Sequence, residues 1–181
     1  MNRVYTTIQK TFKLKYCIFK VAEKHLSNQE ILERIHNWIK EDRSNFLVNI
    51  LENNSSSLAE ISSAIERFHH LSPHGLELSI PREKGLRVSL TRRLLNDQPD
   101  FVHIAKQVIE VKDFNELIKH IIFPLGSHGK LGGKSSGLFL AKQVLNKGAA
   151  KNELLGQVKT PKTWYITSDG IINLMNYNDL E

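Results

Sequence analysis

A segment rich in glycine and lysine interrupts a chain whose pattern is otherwise mostly helical. It reads Gly129-Lys130-Leu131-Gly132-Gly133-Lys134-Ser135, and an amphipathic run follows it through Leu145. Because glycine disfavours a helix interior and apolar residues then recur at helical spacing, the segment predicts a loop that opens a helix. The residues expected to face inward on this helix are Leu138, Ala141, Val144 and Leu145.

The start of this helix has three features that suit a phosphate group. Its first backbone N–H groups lack helical partners and carry a partial positive charge. Glycine lets an anion approach the backbone closely, and lysine adds a mobile full charge. The candidate binding residues are therefore Gly132, Gly133, Lys134 and Ser135. The same spacing fits a glycine turn beside a surface lysine, and the residues alone leave both interpretations open.

The P-loop motif, Gly-x-x-x-x-Gly-Lys-Ser/Thr, matches this segment only in part. Gly133-Lys134-Ser135 fits the end of the motif, but His128 stands where its first glycine belongs. Residues 115–123 also read as a helix ended by Pro124, whereas a P-loop follows a strand. The sequence therefore argues against a P-loop.

Much of the chain before this segment reads as helices. Ser27 with Glu30 and Ser57 with Glu60 have the spacing of capping boxes. Residues 27–71 are expected to hold three helices, with a break at Asp42 and Ser44. A short strand is predicted up to Pro81, and further helices are expected to be opened by Ser89, Pro99 and Asp113.

The last part of the chain predicts one strand and one helix. Trp164-Tyr165-Ile166-Thr167 reads as the strand, and Ser168 is expected to cap the helix. Trp38 and Trp164 are most simply core residues. The helix carries Ile171, Ile172, Leu174 and Met175.

The order of these features resembles one enzyme family. The run from Leu131 to Leu138 opens a helix, Pro161 follows, and Trp164 to Gly170 leads into a helix that closes at Asn178-Asp179-Leu180. This order is similar to the opening of the nucleotide-binding domain of phosphoenolpyruvate synthase and pyruvate phosphate dikinase. The resemblance covers about residues 130–181.

The resemblance implies an ATP-grasp-like fold in which Lys134 contacts the phosphates of ATP. The fold class expected is α/β of a helix-rich α+β kind, with a mostly helical region over residues 1–125 and the opening part of an incomplete ATP-grasp-like domain over residues 126–181. The family also implies Mg²⁺, pyruvate and phosphoenolpyruvate, but its metal ligands and phosphohistidine segment do not occur in this chain. We therefore expect the N-terminal part of a longer phosphotransferase, inactive as a kinase alone.

Two alternative functions remain open, and the first depends on the charge of the chain. The net charge is +6, and basic residues concentrate in residues 1–26 and in the cluster Arg82, Lys84, Arg87, Arg92 and Arg93. Such clusters suit a nucleic-acid binder, although most are solvated faces or ion pairs, and no aromatic residues interleave the arginines to stack bases. The other alternative is a non-catalytic helical interaction module over residues 27–125, whose marker would be an exposed apolar patch.

Other features of the sequence bear on disulfides, membrane spans and metal sites. Cys17 is the only cysteine, so the chain has no internal disulfide. No apolar run reaches the ~20 residues of a membrane span, and we expect a cytoplasmic protein. His69, His70 and His74 lack the spacing of a metal site. His128, beside the glycine segment, is at most an accessory phosphate contact and more simply a turn residue.

Overall fold

The computed structural model describes Val21 and residues 24–71, 78–150 and 152–180. The chain divides into two compact units, residues 1–41 and residues 42–181. All features of the candidate site lie in the second unit.

The described residues form mostly helices, with one π-helical turn and two short strands. This is a helix-rich α+β arrangement, which confirms the predicted class at that level. The elements are α1 Asn28–Glu52, α2 Leu58–Leu71, α3 Ile80–Leu90, the π-helical turn Thr91–Leu95, α4 Pro99–Val108, α5 Val111–Ile118, β1 Ile121–Ile122, α6 Gly133–Ala149, α7 Glu153–Gly156, β2 Tyr165–Ile166 and α8 Ser168–Tyr177.

Both predicted capping boxes are present at helix starts. The Ser27 N–H donates to Glu30 Oε2 at 2.8 Å, and the Ser57 N–H donates to Glu60 Oε2 at 2.7 Å. The expected break at Asp42 is wrong, because α1 continues through it to Glu52. An interior aspartate or serine costs a helix at most about 0.7 kcal/mol relative to alanine, which is too little to end it. Residues 27–71 therefore hold two helices and not three.

The strand expected before Pro81 does not form in the described residues. Leu78 and Ser79 are irregular, and Ile80 begins α3 with Pro81 in its first turn. Proline at this position needs no N–H partner and has a backbone angle that suits a helix start. Leu76 and Glu77, where the predicted strand begins, lie outside the described residues.

A π-helical turn continues α3 and replaces the helix start expected at Ser89. Ser89 lies inside α3, and the backbone then widens over Thr91–Leu95. The buried Thr91 hydroxyl donates to the Arg87 carbonyl at 2.7 Å. Such a turn holds one extra residue within a helical run and therefore rotates the side chains that follow it.

Helices α4 and α5 start close to their predicted positions. Pro99 opens α4 as expected. Asp113 lies in the first turn of α5, which begins at Val111, and its Oδ2 accepts the Glu110 N–H at 2.8 Å. The aspartate therefore caps the helix from within the first turn and not from the residue before it.

The helix predicted to reach Pro124 ends at Ile118, and β1 follows it. β1 and β2 pair in parallel, with Ile121 opposite Tyr165 and Ile122 opposite Ile166. Parallel neighbours need a long crossover connection, and α6 supplies it here. Because Ile118 and Ile121 are also three residues apart, the local pattern could not separate a helix from this strand.

The core of the second unit is assembled from α1 to α6, the π-helical turn and both strands. On α6 the buried residues are Ser136 and Phe139, and the Phe139 ring lies 6.4 Å from the rings of both Phe114 and Tyr165. The face predicted to point inward is wrong, since Leu138 and Val144 are 49% and 47% exposed.

The last helix is largely exposed. No residue of α8 is buried, and its large apolar side chains lie in solvent, as does Trp164, which is 55% exposed and not a core residue. The side chain of Trp38 lies outside the described residues. An apolar helix without a packing partner is unusual in a folded unit. The exposed residues are Ile171, Ile172, Leu174, Met175 and Tyr177.

Within the ranges that the structure describes, no helix is long and apolar enough to cross a membrane.

We expect Ser57→Ala to lower the free energy of unfolding by about 1 kcal/mol, because it removes the side-chain acceptor from the start of α2. Urea denaturation measures the change. Ser63→Ala, at an exposed site within the same helix, is the control and should not destabilise the chain. Equal losses in the two variants would contradict a specific capping role.

Candidate phosphate-binding site

Helix α6 begins within the glycine-lysine segment, as predicted. Gly132 precedes it with an extended backbone (φ −64°, ψ 161°), and the first helical hydrogen bond runs from the Ser136 N–H to the Gly132 carbonyl at 2.9 Å. The N–H groups of Gly133, Lys134 and Ser135 lie before that bond and donate to no acceptor in the described residues. Three backbone donors are therefore available at one helix end.

This helix start differs from the others in its charge. Every other labelled α-helix carries an acidic residue in its first turn, whereas α6 carries none. An acidic residue there offsets the partial positive charge of the helix end. The start of α6 therefore keeps its positive potential.

The four predicted binding residues lie together at this end. Gly132, Gly133 and Lys134 are exposed, and Ser135 is half-buried. The Lys134 ammonium makes no ion pair within the part of the chain that the structure describes. Lys130 behaves differently, because its Nζ lies 2.9 Å from Asp97 Oδ2 and lowers the pKa of that carboxyl. Lys134 is thus the lysine of this segment that is free to meet a ligand.

Three backbone contacts fix the chain just before α6. The Leu131 N–H donates to the Leu94 carbonyl of the π-helical turn at 2.9 Å, and Leu131 forms an antiparallel bridge with Thr167. The Ser168 N–H donates to the Lys130 carbonyl at 2.9 Å. The glycine segment is therefore held against the end of β2, and the helix start that carries the unpaired N–H groups is fixed in place.

Asp169 makes the strongest connection in this region, and the sequence reasoning assigned it no role. Its Oδ2 accepts the Ser127 hydroxyl at 2.7 Å, the His128 N–H at 3.1 Å and the Gly129 N–H at 3.0 Å. Its Oδ1 accepts the Gly170 N–H at 3.0 Å. One carboxylate at the start of α8 therefore holds the loop that leads into α6.

These hydrogen bonds keep Asp169 ionised. Burial by itself raises its pKa, but the Thr167 and Ser127 hydroxyls and the two loop N–H groups lower the pKa to about 2 from 3.8. Hydrogen bonds donated to a carboxylate favour its charged form. The Thr167 hydroxyl is buried and, although it is close enough to lower this pKa, does not reach hydrogen-bond geometry with any acceptor in the described residues.

Gly129 leaves the space that the Asp169 carboxylate fills. A Cβ atom at position 129 would lie 2.2 Å from Asp169 Oδ1 and 2.6 Å from its Cγ. Such distances are far inside van der Waals contact, so any side chain here would displace the carboxylate. Glycine is therefore required at this position by packing against Asp169.

His128 and Arg93 hold the loop from its other side. His128 Nδ1 lies 3.1 Å from the Ser56 carbonyl, and the Arg93 guanidinium donates to the same carbonyl. The Leu58 N–H donates to the Ser127 carbonyl at 2.7 Å. Since a carbonyl can only accept, the Nδ1 of His128 carries the proton. The ring of His128 thus connects the loop to the start of α2.

The structure changes one of the two arguments against a P-loop. β1 precedes the glycine segment, so the order is strand, loop and helix, contrary to the helix expected over residues 115–123. The other argument stands, because His128 occupies the position of the first P-loop glycine, and the nearby Gly129 serves Asp169.

Across the described ranges, no group of three or more His, Cys, Asp or Glu side chains is placed to hold a metal ion. His69 and His70 are exposed near the end of α2, and His74 lies outside the described residues.

Comparisons with protein-family models, with curated proteins and with solved structures found no match to this chain.

We expect Asp169→Asn to lower the free energy of unfolding at neutral pH by about 1–2 kcal/mol, a value reduced for solvent screening. The pKa of Asp169 is about 2 when folded and 3.8 in the reference state, so its contribution is complete above pH 3.8 and disappears as the pH falls towards 2. Urea denaturation of both variants at several pH values measures this. The difference between them should shrink on acidification; a constant difference would contradict the carboxylate's role.

We expect Gly129→Ala to destabilise the chain by about 1–3 kcal/mol, because the new methyl group separates Asp169 from its donors. In an Asp169→Ala background the same change should cost much less, and this non-additivity identifies the contact. Thermal unfolding of the four variants supplies the cycle. Gly137→Ala, on α6 with open space around it, is the control and should be neutral or stabilising.

Proposed function

We propose that residues 126–181 belong to an ATP-grasp-like nucleotide-binding domain of the phosphoenolpyruvate synthase and pyruvate phosphate dikinase type, in which the start of α6 binds the phosphates of ATP. The observation that carries the proposal is the group of three unpaired N–H donors beside the free ammonium of Lys134. Phosphate oxygens are acceptors with negative charge, and they suit both kinds of group.

Each residue of the site has a distinct part in this proposal. The N–H groups of Gly133, Lys134 and Ser135 donate to phosphate oxygens, and the Lys134 ammonium neutralises their charge. Gly132 and Gly133 carry no side chain that would keep a phosphate away from the backbone. Neither glycine has an atom within 4 Å of where a Cβ would stand, so the space at the helix end is open to a ligand.

The residues at the start of α6 suit phosphate and not Mg²⁺. Mg²⁺ prefers oxygen ligands, above all carboxylates, and the first turn of α6 has none. Asp169 contacts the loop before the motif, but its Oδ2 already accepts three hydrogen bonds. In this proposal Mg²⁺ is held by other parts of the domain, and residues 132–135 contribute phosphate binding without catalysing phosphoryl transfer alone.

The exposure of α8 supports a further part of the proposal. Ile172, Leu174 and Met175 present apolar surface that a folded nucleotide-binding domain would bury. We propose that this surface packs against further parts of the same domain. The family implies pyruvate and phosphoenolpyruvate as the other substrates of the complete enzyme.

Neither alternative function gains support from the described contacts. Arg82, Arg87 and Arg93 use their guanidinium groups within the chain, on Ser44 and Asn45, on Glu83 and on the Ser56 carbonyl. Such arginines are poorly placed to meet nucleic-acid phosphates. The exposed apolar side chains of the described residues 27–125 are spread over several elements, whereas those of α8 follow one another closely along one helix. The spread-out residues are Leu32, Ile80, Ile104, Ile122 and Leu125.

We expect ATP to bind the full chain and Lys134→Ala to weaken the affinity by about 10- to 100-fold, the loss of one charge-assisted contact. Isothermal calorimetry measures the affinity.

Gly133→Pro tests the backbone donors separately, because the variant lacks the N–H group at position 133. Proline should fit here, since the extended Gly132 tolerates a following proline and proline suits the first helical position. The variant should weaken ATP binding while α6 stays folded.

The matched control is Lys159→Ala, because Lys159 is exposed and lies outside the helix start. It should leave the affinity unchanged. Tripolyphosphate should compete with ATP, and adenosine should compete far less. Equal weakening by Lys159→Ala, competition by adenosine alone, or no saturable ATP binding would overturn the proposal.

A further inference from the structure

A groove of about 260 Å³ lies between α5, α6 and the segment that leads into β2. On α6 it is lined by residues from Phe139 to Asn146. Phe139 is six residues, about 9 Å, from Gly133 along the helix, so the groove is separate from the proposed phosphate site. Its volume is below the roughly 300–1,000 Å³ of sites for drug-sized ligands and corresponds to a small metabolite.

The floor of the groove is apolar and rigid. It is made by Leu117, Phe139 and Tyr165, which are all buried, and the Phe139 and Tyr165 rings meet edge to face at 6.4 Å. Burial raises the pKa of the Tyr165 hydroxyl, so this group stays protonated. A ligand with an apolar body would replace water above this floor.

Two lysines among the lining residues give the groove positive charge. Lys142 is half-buried on α6, and Lys162 lies in the segment before β2 with its Nζ 5.8 Å from the centre of the Trp164 ring. Within the described residues neither ammonium is paired with a carboxylate. Both are therefore available to a carboxylate group on a ligand.

The residues of α5 that line the groove include two carboxylates. Glu116 pairs with Lys119 at 2.7 Å, whereas Asp113 uses only Oδ2, to accept the Glu110 N–H. Burial raises the pKa of Asp113, and the nearby Lys112 and Lys147 oppose that shift only in part. His120 also lines the groove, beside Trp164, with the two ring centres 5.1 Å apart. Its Nδ1 lies 2.9 Å from the Glu116 carbonyl and must donate to it, which leaves Nε2 as an acceptor in the neutral ring.

We propose that this groove binds a small zwitterion with an apolar body, of the class of free apolar α-amino acids. The ligand's carboxylate meets Lys142 and Lys162, its ammonium meets Asp113 and His120 Nε2, and its side chain lies on Phe139 and Tyr165. A simple anion would lie beside Asp113 without compensating it, and a simple cation would be repelled by both lysines. Charges of both signs among the lining residues are what select a zwitterion.

The test is a titration of the full chain, labelled with ¹⁵N, by three matched probes observed in amide spectra. L-phenylalanine carries both charges, 3-phenylpropionate lacks the ammonium, and 2-phenylethylamine lacks the carboxylate. We expect saturable shifts at groove residues with L-phenylalanine, and affinities at least about fivefold weaker with each of the other probes. No saturable shift, or equal binding of a singly charged probe, would overturn the proposal.

Variants locate the two charged contacts. Lys142→Met should weaken L-phenylalanine binding about tenfold without weakening the binding of 2-phenylethylamine, whose ammonium this lysine repels. Asp113→Asn should also weaken L-phenylalanine binding about tenfold, without weakening the binding of 3-phenylpropionate. The dispersion of each spectrum shows whether α5 keeps its fold after the loss of the Asp113 cap. Lys159→Met is the charge control, and an equal effect from it would contradict the assignment. Lys134→Ala should bind L-phenylalanine as the parent does, which separates this groove from the phosphate site.

Discussion

The carboxylate of Asp169 joins parts of the chain that are 40 residues apart, and the geometry of the candidate site depends on this contact. The loop before α6 would otherwise present its N–H groups to water in many conformations. By accepting three hydrogen bonds on Oδ2, Asp169 fixes that loop at the start of α8. The bridge from Leu131 to Thr167 then sets the direction in which α6 leaves the sheet. A residue distant in sequence thus fixes the conformation of the glycine segment. Gly129 lets the Asp169 carboxylate approach the loop backbone closely, because it has no side chain.

The start of α6 has neither a side-chain cap nor an acidic residue in its first turn. Glu30 and Glu60, in the first turns of α1 and α2, accept the N–H groups of Ser27 and Ser57. Each cap stabilises the start of its helix by about 1 kcal/mol. At α6 the N–H groups of Gly133, Lys134 and Ser135 donate to no acceptor in the described residues. This helix start, which Asp169 and Leu94 hold in place, is the feature on which the proposed phosphate site rests.

Local signals in the sequence were sufficient for most helix starts, though not for that of α3, and for the strand around Tyr165. Capping boxes, the proline that opens α4 and the glycine segment act within a few residues, so the sequence contains the whole cause. The buried face of α6 was less predictable, because it depends on where Phe114 and Tyr165 place their rings. An apolar stripe at helical spacing can be drawn through Leu138 as well as through Phe139. β1 was missed because its partner is a strand beyond the crossover. The four candidate residues lie at a helix start, as predicted, but the role of Asp169 depends on proximity in three dimensions.

The π-helical turn over Thr91–Leu95 has a consequence for how related chains would align with this one. The turn accommodates one residue more than a regular helix, so a relative without that residue could form an unbroken α-helix here. Each residue of an α-helix turns the chain by about 100°, and the deletion would swing the side chain equivalent to Arg93 away from the Ser56 carbonyl. The Leu94 carbonyl that receives the Leu131 N–H would be displaced as well. A single-residue gap at this turn would therefore mark a relative whose glycine segment is supported in a different way.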